Sequence, residues 1–393
     1  MNNIIFFIEN YIAGGSDMVA HDIIANINAK KIYLFVNKSN DTSNLLKDEL
    51  PSNIEIIYYG LITTAELGSF SNSKKHIFPI YILLKVFNLL FRYPLIIFSI
   101  VYFYFKFKRL DAKYFISNNG GYPGGEYCRS ATISAYFASL KCFHIIHSAA
   151  SLPRFKLFIM LEYFIDMMID KIATVICVSK HNANILKDNR NFKQEITVIY
   201  NGIKLNEQKK YNFSEKVKLL NVASLYSLKN QIFLVEVFNK LVHLGYTNLE
   251  LHLVGKSIDE QYLLRLKNLL QQYNLENYII LHGFTNPSQY YNDCDIFLLS
   301  SKIEGFPIVT LEAMSIGMPI ISTKAGGSIE QIIDGFNGFL VEQGDIDCFV
   351  EKIIFFLDNK DQIKFFGENG YNLFNKNFTI KQMINRYKSL ILG

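Results

Sequence analysis

A chain of 393 residues, half of them hydrophobic and only 19% charged, can bury two cores of ordinary domain size and is not a disordered protein. Its five cysteines (Cys128, Cys142, Cys177, Cys294 and Cys348) are scattered and form no C-x-x-C pair, which argues for a reducing compartment and against a disulfide scaffold or a zinc site. The net charge of +5 is local: eight Lys and Arg stand against one acid between residues 74 and 113, which points to one basic face rather than to a nucleic-acid binder.

In chain order, IIFFI (4–8) reads as a first buried strand, and the residues before it lack the positive charge of a secretion signal. AGGSD (13–17) turns into a helix over 19–27, a Rossmann-like opening. Gly14 and Gly15 are adjacent and no G-x-G-x-x-G exists, so the pair is either a tight turn or a ligand-facing loop. KIYLFVN (31–37) and IEIIYY (54–59) are the next strands, with a polar helix between them. The segment 76–109 is basic and apolar. Its longest uncharged run, 93–105, falls short of the ~20 residues that cross a bilayer, and a crossing would divide strands that share one sheet. Lys85, Arg92, Ser99 and Lys106 recur every seven residues, which predicts a polar stripe on an apolar helix: a helix docked on an anionic membrane surface, or else a core helix.

YFIS (114–117) is a strand, followed by the loop NNGGYPGGEY (118–127) with Gly120 and Gly121, and then a helix over 126–141. Such a loop at a strand's C-terminal end is where ligand sites of α/β folds lie. CFHIIHS (142–148) is a strand ending at His147; His144, on the opposite face, is expected to pack internally. TVICVSK (174–180) and ITVIYNGI (196–203) complete the first half, and the polar stretch 204–216 reads as a linker.

In the second half, KLLNVASLYSLKN (218–230) is a strand followed by a loop with Ser224 and Lys229. LELHLVG (249–255) and YIILHGF (278–284) are strands, the latter ending at Gly283. Asp293-Cys294-Asp295 has the D-x-D form of a metal–diphosphate site, but it directly precedes the strand IFLLS (296–300), so no metal site is expected there. The stretch SKIEGFPIVTLEAMSIGMP (301–319) places Glu304 and Gly305 in a loop, then Phe306, Pro307, Ile308 and Val309 at a helix start, and Glu312 further along that helix. A helix N-terminus suits a phosphate, and the flanking carboxylates accept hydroxyls, as a nucleotide-sugar requires. The plain alternative is an acidic pair favouring the helix dipole.

E-G-F-P-I-V-T-L-E, with seven residues between the glutamates, resembles the signature of retaining glycosyltransferase family 4. G-M-P-I-I-S-T (317–323), A-G-G-S-I-E (325–330) and D-G-F-N-G-F-L-V (334–341) extend the resemblance. It implies an α/β fold of the GT-B type, two Rossmann-like domains facing across a cleft: 1–205 on the acceptor side, 206–377 for the donor, and a last helix, 378–393, crossing back. It implies transfer of a sugar from a UDP- or GDP-linked donor to a hydroxyl of a glycan or lipid-linked acceptor, without a cofactor or metal, at the inner face of the cytoplasmic membrane in bacterial surface-polysaccharide synthesis. By the same resemblance Glu304 holds the donor sugar and Glu312 the ribose. Lys229 and the 307–309 amides hold the diphosphate, Gly283 borders the base, and His147 assists near the sugar. Gly14, Gly15, Gly120 and Gly121 belong to the cleft loops. Where the family carries an arginine this chain has Ser224, leaving one cation for the phosphates. An epimerase of the same fold and a non-catalytic partner subunit are the alternatives.

Overall fold

The computed structural model describes residues 2–9, 14–38, 50–153, 158–211 and 215–393, apart from the side chain of Ala65. The chain divides into two compact units, Met1–Tyr200 with Ile384–Gly393, and Asn201–Met383.

The first unit holds a seven-stranded sheet of β1 (Ile4–Ile8), β2 (Ile32–Asn37), β3 (Ile54–Tyr59), β4 (Tyr114–Asn119), β5 (Lys141–Ile146), β6 (Ala173–Cys177) and β7 (Thr197–Val198). The order is β3-β2-β1-β4-β5-β6-β7 and every pair is parallel. Parallel strands covered on both faces read as unbroken apolar runs, and β1 is buried at every position. The helices are α1 (Gly15–Asn26), α2 (Thr64–Ser73), α3 (Phe78–Phe107), α4 (Glu126–Phe137), α5 (Ile159–Ile172) and α6 (Lys180–Arg190). The polar helix expected between β2 and β3 falls largely on residues 39–49, outside the described residues, as do residues 212–214 of the expected linker.

One core of this unit is aromatic. Phe7 of β1 lies 5.0 Å from both Tyr59 of β3 and Phe103 of α3, centroid to centroid, and Phe35 meets Phe107 edge-on at 5.1 Å. The long strand expected over 196–203 shrinks to two residues. β6 stops at Cys177, where Ser179 caps α6 by accepting from the Asn182 amide, so the later residues have no strand to pair with. The seven-residue polar stripe of α3 is also corrected. Arg92 and Ser99 are buried against α4, where Arg92 pairs with Glu126 and the Ser99 hydroxyl donates to Ser130 at 2.8 Å.

The second unit holds a six-stranded parallel sheet of β8 (Val217–Val222), β9 (Leu249–Val254), β10 (Ile279–Gly283), β11 (Ile296–Leu299), β12 (Ile320–Thr323) and β13 (Gly338–Val341), ordered β10-β9-β8-β11-β12-β13. Its helices are α7 (Gln231–His243), α8 (Glu260–Gln272), α9 (Ser288–Asp293), α10 (Ile308–Ile316), α11 (Ile346–Asp358) and α12 (Lys360–Asn377). The last helix, α13 (Ile380–Leu392), begins in this unit, and its residues from Ile384 onward belong to the first. The order reverses between β8 and β11, and the loops leaving those two strands carry most of the expected donor residues.

Candidate active site

Strand β11 is followed by Ser300, whose hydroxyl donates to the Lys229 carbonyl at 2.8 Å, while the Lys302 amide donates to the Leu228 carbonyl at 2.8 Å. These two bonds tie the loop after β8 to the loop after β11. The ammonium of Lys229 thereby reaches the carboxylate of Glu304 at 2.6 Å, and Glu304 is 8% exposed. The expected phosphate cation and the expected sugar-binding acid are one ion pair.

Pro307 stands one residue before α10 rather than as its first residue: its ψ of 129° is extended, although its φ of −63° already suits a helix. Its carbonyl accepts from Thr310 Oγ1 at 2.7 Å and from Gln331 Nε2 at 2.9 Å. Phe306 is buried at 5.5 Å from Phe378, with its carbonyl held by Asn201 Nδ2 at 3.0 Å. These contacts fix the approach of the chain to α10. No side chain caps the helix, so its first amides, from Ile308 and Val309, stay oriented for an anion. Glu312 sits one turn in and accepts from the Tyr291 hydroxyl at 2.6 Å. Burial pushes its carboxyl above the usual range, and the Tyr291 bond offsets part of that.

Ser224 follows β8 and Gly283 ends β10 of the same sheet. The Gly255 amide donates to the Gly283 carbonyl at 2.9 Å, and a Cβ at Gly255 would come within 2.0 Å of the Ala223 carbonyl, so the loops after β8, β9 and β10 are stacked in contact. Gly283 has φ +65°, which favours glycine. The Ser224 carbonyl accepts from Gln231, and its hydroxyl has no partner among the described residues. Asp295 of the D-x-D accepts from the Lys218 amide at 2.9 Å and so anchors β8.

In the first unit, Gly14 caps α1, and its amide donates to Asp17 at 2.8 Å. A Cβ on Gly120 would touch Ser16, and one on Gly121 would press on Ser148 at 2.8 Å, so the glycine loops gather around the start of α1 and the end of β5. Gly15 opens α1 beside them. His147 lies one residue past β5 and is buried, with Nε2 at 2.7 Å from Asn118 Oδ1 and Nδ1 without a partner. Burial lowers its pKa to about 4. The neutral ring therefore donates from Nε2 and holds an acceptor lone pair on Nδ1. His144 is packed internally against Thr132 at 2.9 Å.

Sequence reasoning missed Tyr291, Gln331 and Asn201. Each acts on a residue of the 301–319 stretch from at least 21 positions away, a separation no local motif reports. Among the described residues, no group of three His, Cys, Asp or Glu side chains is placed to hold a metal ion.

The family model described as glycosyl transferases group 1 matches residues 203–373. The chain is 30% identical over 240 residues to the capsular polysaccharide biosynthesis glycosyltransferase CapM of Staphylococcus aureus, covering 53% of this chain and 60% of that protein. It is 26% identical over 283 residues to the UDP-Gal:alpha-D-GlcNAc-diphosphoundecaprenol alpha-1,3-galactosyltransferase of Escherichia coli, covering 66% and 71%. The chain spans 60% of the length of two of the curated relatives it matches, CapM among them. A crystal structure of HepE from Anabaena in complex with UDP and glucose superposes with a TM-score of 0.75 over 99% of both chains at 18% identity. Residues 203–373, with the Lys229, Glu304 and Glu312 loops, are thus similar to the group 1 glycosyltransferases, and the two parallel α/β units have the GT-B fold.

Proposed function

We propose that this protein is a family 4 enzyme that transfers a sugar, with retention and without a metal, from a UDP- or GDP-linked donor to a hydroxyl of a glycan or lipid-linked acceptor. The setting is bacterial surface-polysaccharide synthesis on the cytoplasmic side of the membrane. The observation that carries the reading is the Lys229–Glu304 pair beside the uncapped start of α10, with Glu312 one turn further on. An anion held by Lys229 and the Ile308 and Val309 amides has a carboxylate on either side of it in sequence. Glu304 takes sugar hydroxyls, Glu312 takes the ribose, and the lysine and amides stabilise the leaving diphosphate. Gly283 borders the base. His147 is assigned the assisting role its neutral ring suits. The UDP and glucose held by HepE and the diphosphoundecaprenol acceptor in the name of the Escherichia coli relative agree with this choice of donor and acceptor.

Ser224 favours a second reading, a non-catalytic partner subunit, because a hydroxyl supplies no charge to a diphosphate. One assay separates the two. With excess chelator present throughout, a panel of UDP- and GDP-sugars is screened for binding and for turnover on glycan acceptors. Glu312→Ala is expected to weaken nucleotide binding and Glu304→Ala to lower turnover, each by ~1.5–3 kcal/mol. Donor binding without turnover on any acceptor would make the chain a partner subunit. Turnover abolished by chelator and restored by Mn²⁺ would make it metal-dependent.

A further inference from the structure

Helix α3 is amphipathic in the reverse sense for a protein in water. Its inward stripe is polar where it meets α2, α4 and α5. Asn88 Nδ2 donates to Ser71 Oγ at 2.7 Å, Arg92 pairs with Glu126, the Tyr93 hydroxyl donates to Glu162 at 3.1 Å, and Ser99 donates to Ser130. Its outward stripe is Leu83, Phe87, Leu90, Ile97, Val101 and Phe105, spaced three, four or seven residues apart and all exposed, Leu83 by 68% and Ile97 by 64%. Helix α5 repeats the pattern. Glu162, Asp166 and Asp170 are buried, while Met160, Phe164 and Met167 face outward, Met160 by 84%. The two helices are locked together: Tyr93 of α3 meets Phe158, just before α5, at 4.5 Å between tilted rings, and Arg129 of α4 bonds Glu162 of α5 at 3.1 Å beside its bond to Glu126.

A helix that buries Arg92 and a polar stripe while its apolar stripe faces outward gains when that stripe meets an apolar medium. By length and composition α3 could cross a membrane. Its packing contradicts a crossing, because Arg92 at mid-helix is tied to Glu126, and Phe103 and Phe107 sit in the aromatic core over β1 and β2. A crossing would carry α4 and the sheet into hydrocarbon. The helix must lie along a surface.

Charge names that surface. Lys75, Lys85, Lys106, Lys108, Arg109 and Lys113 are exposed on or beside α3, and none has a carboxylate partner among the described residues. A two-fold contact with another copy would bring these like charges together. An anionic bilayer neutralises them while covering the apolar stripes. We infer that α3 and α5 form one membrane-docking platform, lying in the headgroup layer of an anionic bilayer with both outer stripes buried. This deepens the proposed reading, in which the acceptor is lipid-linked, and adds α5, whose charged residues conceal it in the sequence.

The test uses the full chain and sedimentation with vesicles of phosphatidylglycerol or of phosphatidylcholine. Wild type is expected to bind the anionic vesicles more tightly. Met160→Glu, Phe164→Glu and Ile97→Glu are each expected to lower the partition coefficient about tenfold, the change that loss of one buried apolar side chain produces. Leu264→Glu, at an exposed leucine of the second unit, is expected to leave it unchanged. The chain contains no tryptophan, so Met160→Trp supplies a single fluorescent reporter that should shift to the blue on anionic vesicles and be quenched by brominated lipid. Thermal melting confirms that each variant folds. A wild type that ignores anionic vesicles overturns the proposal, and so does an α5 variant that binds as wild type does. Dimers broken by the same substitutions, without vesicle affinity, would give the face to a second copy instead. Turnover on a water-soluble acceptor is scored separately: vesicle binding without turnover removes the transferase reading alone, and turnover without vesicle binding removes the platform alone.

Discussion

The pairing of Lys229 with Glu304 sets what a ligand must do on arrival. On the proposed function, a diphosphate that takes the ammonium also frees a carboxylate to accept hydroxyl protons, so both halves of a nucleotide-sugar are engaged by breaking one bond 2.6 Å long. The lysine side chain keeps 22% of its exposure, which leaves room for that exchange. His147 and His144 make a different statement, because both are buried as neutral rings. Burial lowers His147 to about 4, and burial with the nearby Arg129 lowers His144 to about 3, against an ordinary value near 6.5. A pKa depressed by folding means that the unfolded chain binds the proton first. The stability these rings contribute is whole above about pH 6.5 and is lost as the pH falls through the folded values. Shifts of this size correspond to roughly 3 kcal/mol for His147 and roughly 5 kcal/mol for His144. His144→Asn should therefore flatten the fall of urea stability between pH 6.5 and 4. An unchanged slope would mean that the ring is already charged in the folded state.

At the scale of elements, the first unit is braced by a buried ionic cluster. Arg92, Arg129 and Arg190 stand against Glu126, Glu162 and Asp166, three charges of each sign, on α3, α4, α5 and α6. Glu162 accepts from Arg129 at 3.1 Å and from Arg190 at 2.8 Å. Burial works to raise its carboxyl, yet these two guanidinium groups outweigh it and hold the pKa down at about 2. Removing one member leaves an uncompensated charge in the interior, so Glu162→Gln is expected to cost about 3–5 kcal/mol, read as a lowered urea midpoint. A change below about 1 kcal/mol would mean that water reaches the cluster. Most strands and the loop before α10 were legible in the sequence for a local reason: unbroken apolar runs record burial, and Gly305 and Pro307 ahead of a helical run mark a loop and a helix start. The face of α3 was not. Lys85, Arg92, Ser99 and Lys106 share a spacing, but Arg92 and Ser99 meet partners on α4, and only those partners decide which side is inside. The hold of Tyr291 on Glu312 was hidden in the same way, by a separation of 21 residues.

At the scale of the molecule, each unit carries cores of its own. Phe7, Phe35, Tyr59 and Phe103 fill one in the first unit, and Leu219, Leu251, Phe238, Ile353 and Phe366 fill that of the second. Two cores built on separate sheets are expected to melt as two transitions rather than one, which makes a single midpoint an inadequate description. The residues assigned to the donor, Lys229, Glu304, Glu312 and the start of α10, all lie in the second unit, so ligand binding should be felt there first. A nucleotide-sugar at a hundred times its Kd adds about 2.7 kcal/mol to the state that binds it. For a unit of this size each kcal/mol moves Tm by about 2–4 °C, so the transition of the second unit should rise by roughly 5–10 °C while that of the first stays in place. Scanning calorimetry with and without donor resolves the two. Both transitions rising together would show that the units unfold as one, and a shift of the first alone would place the donor outside the Lys229–Glu304 loops.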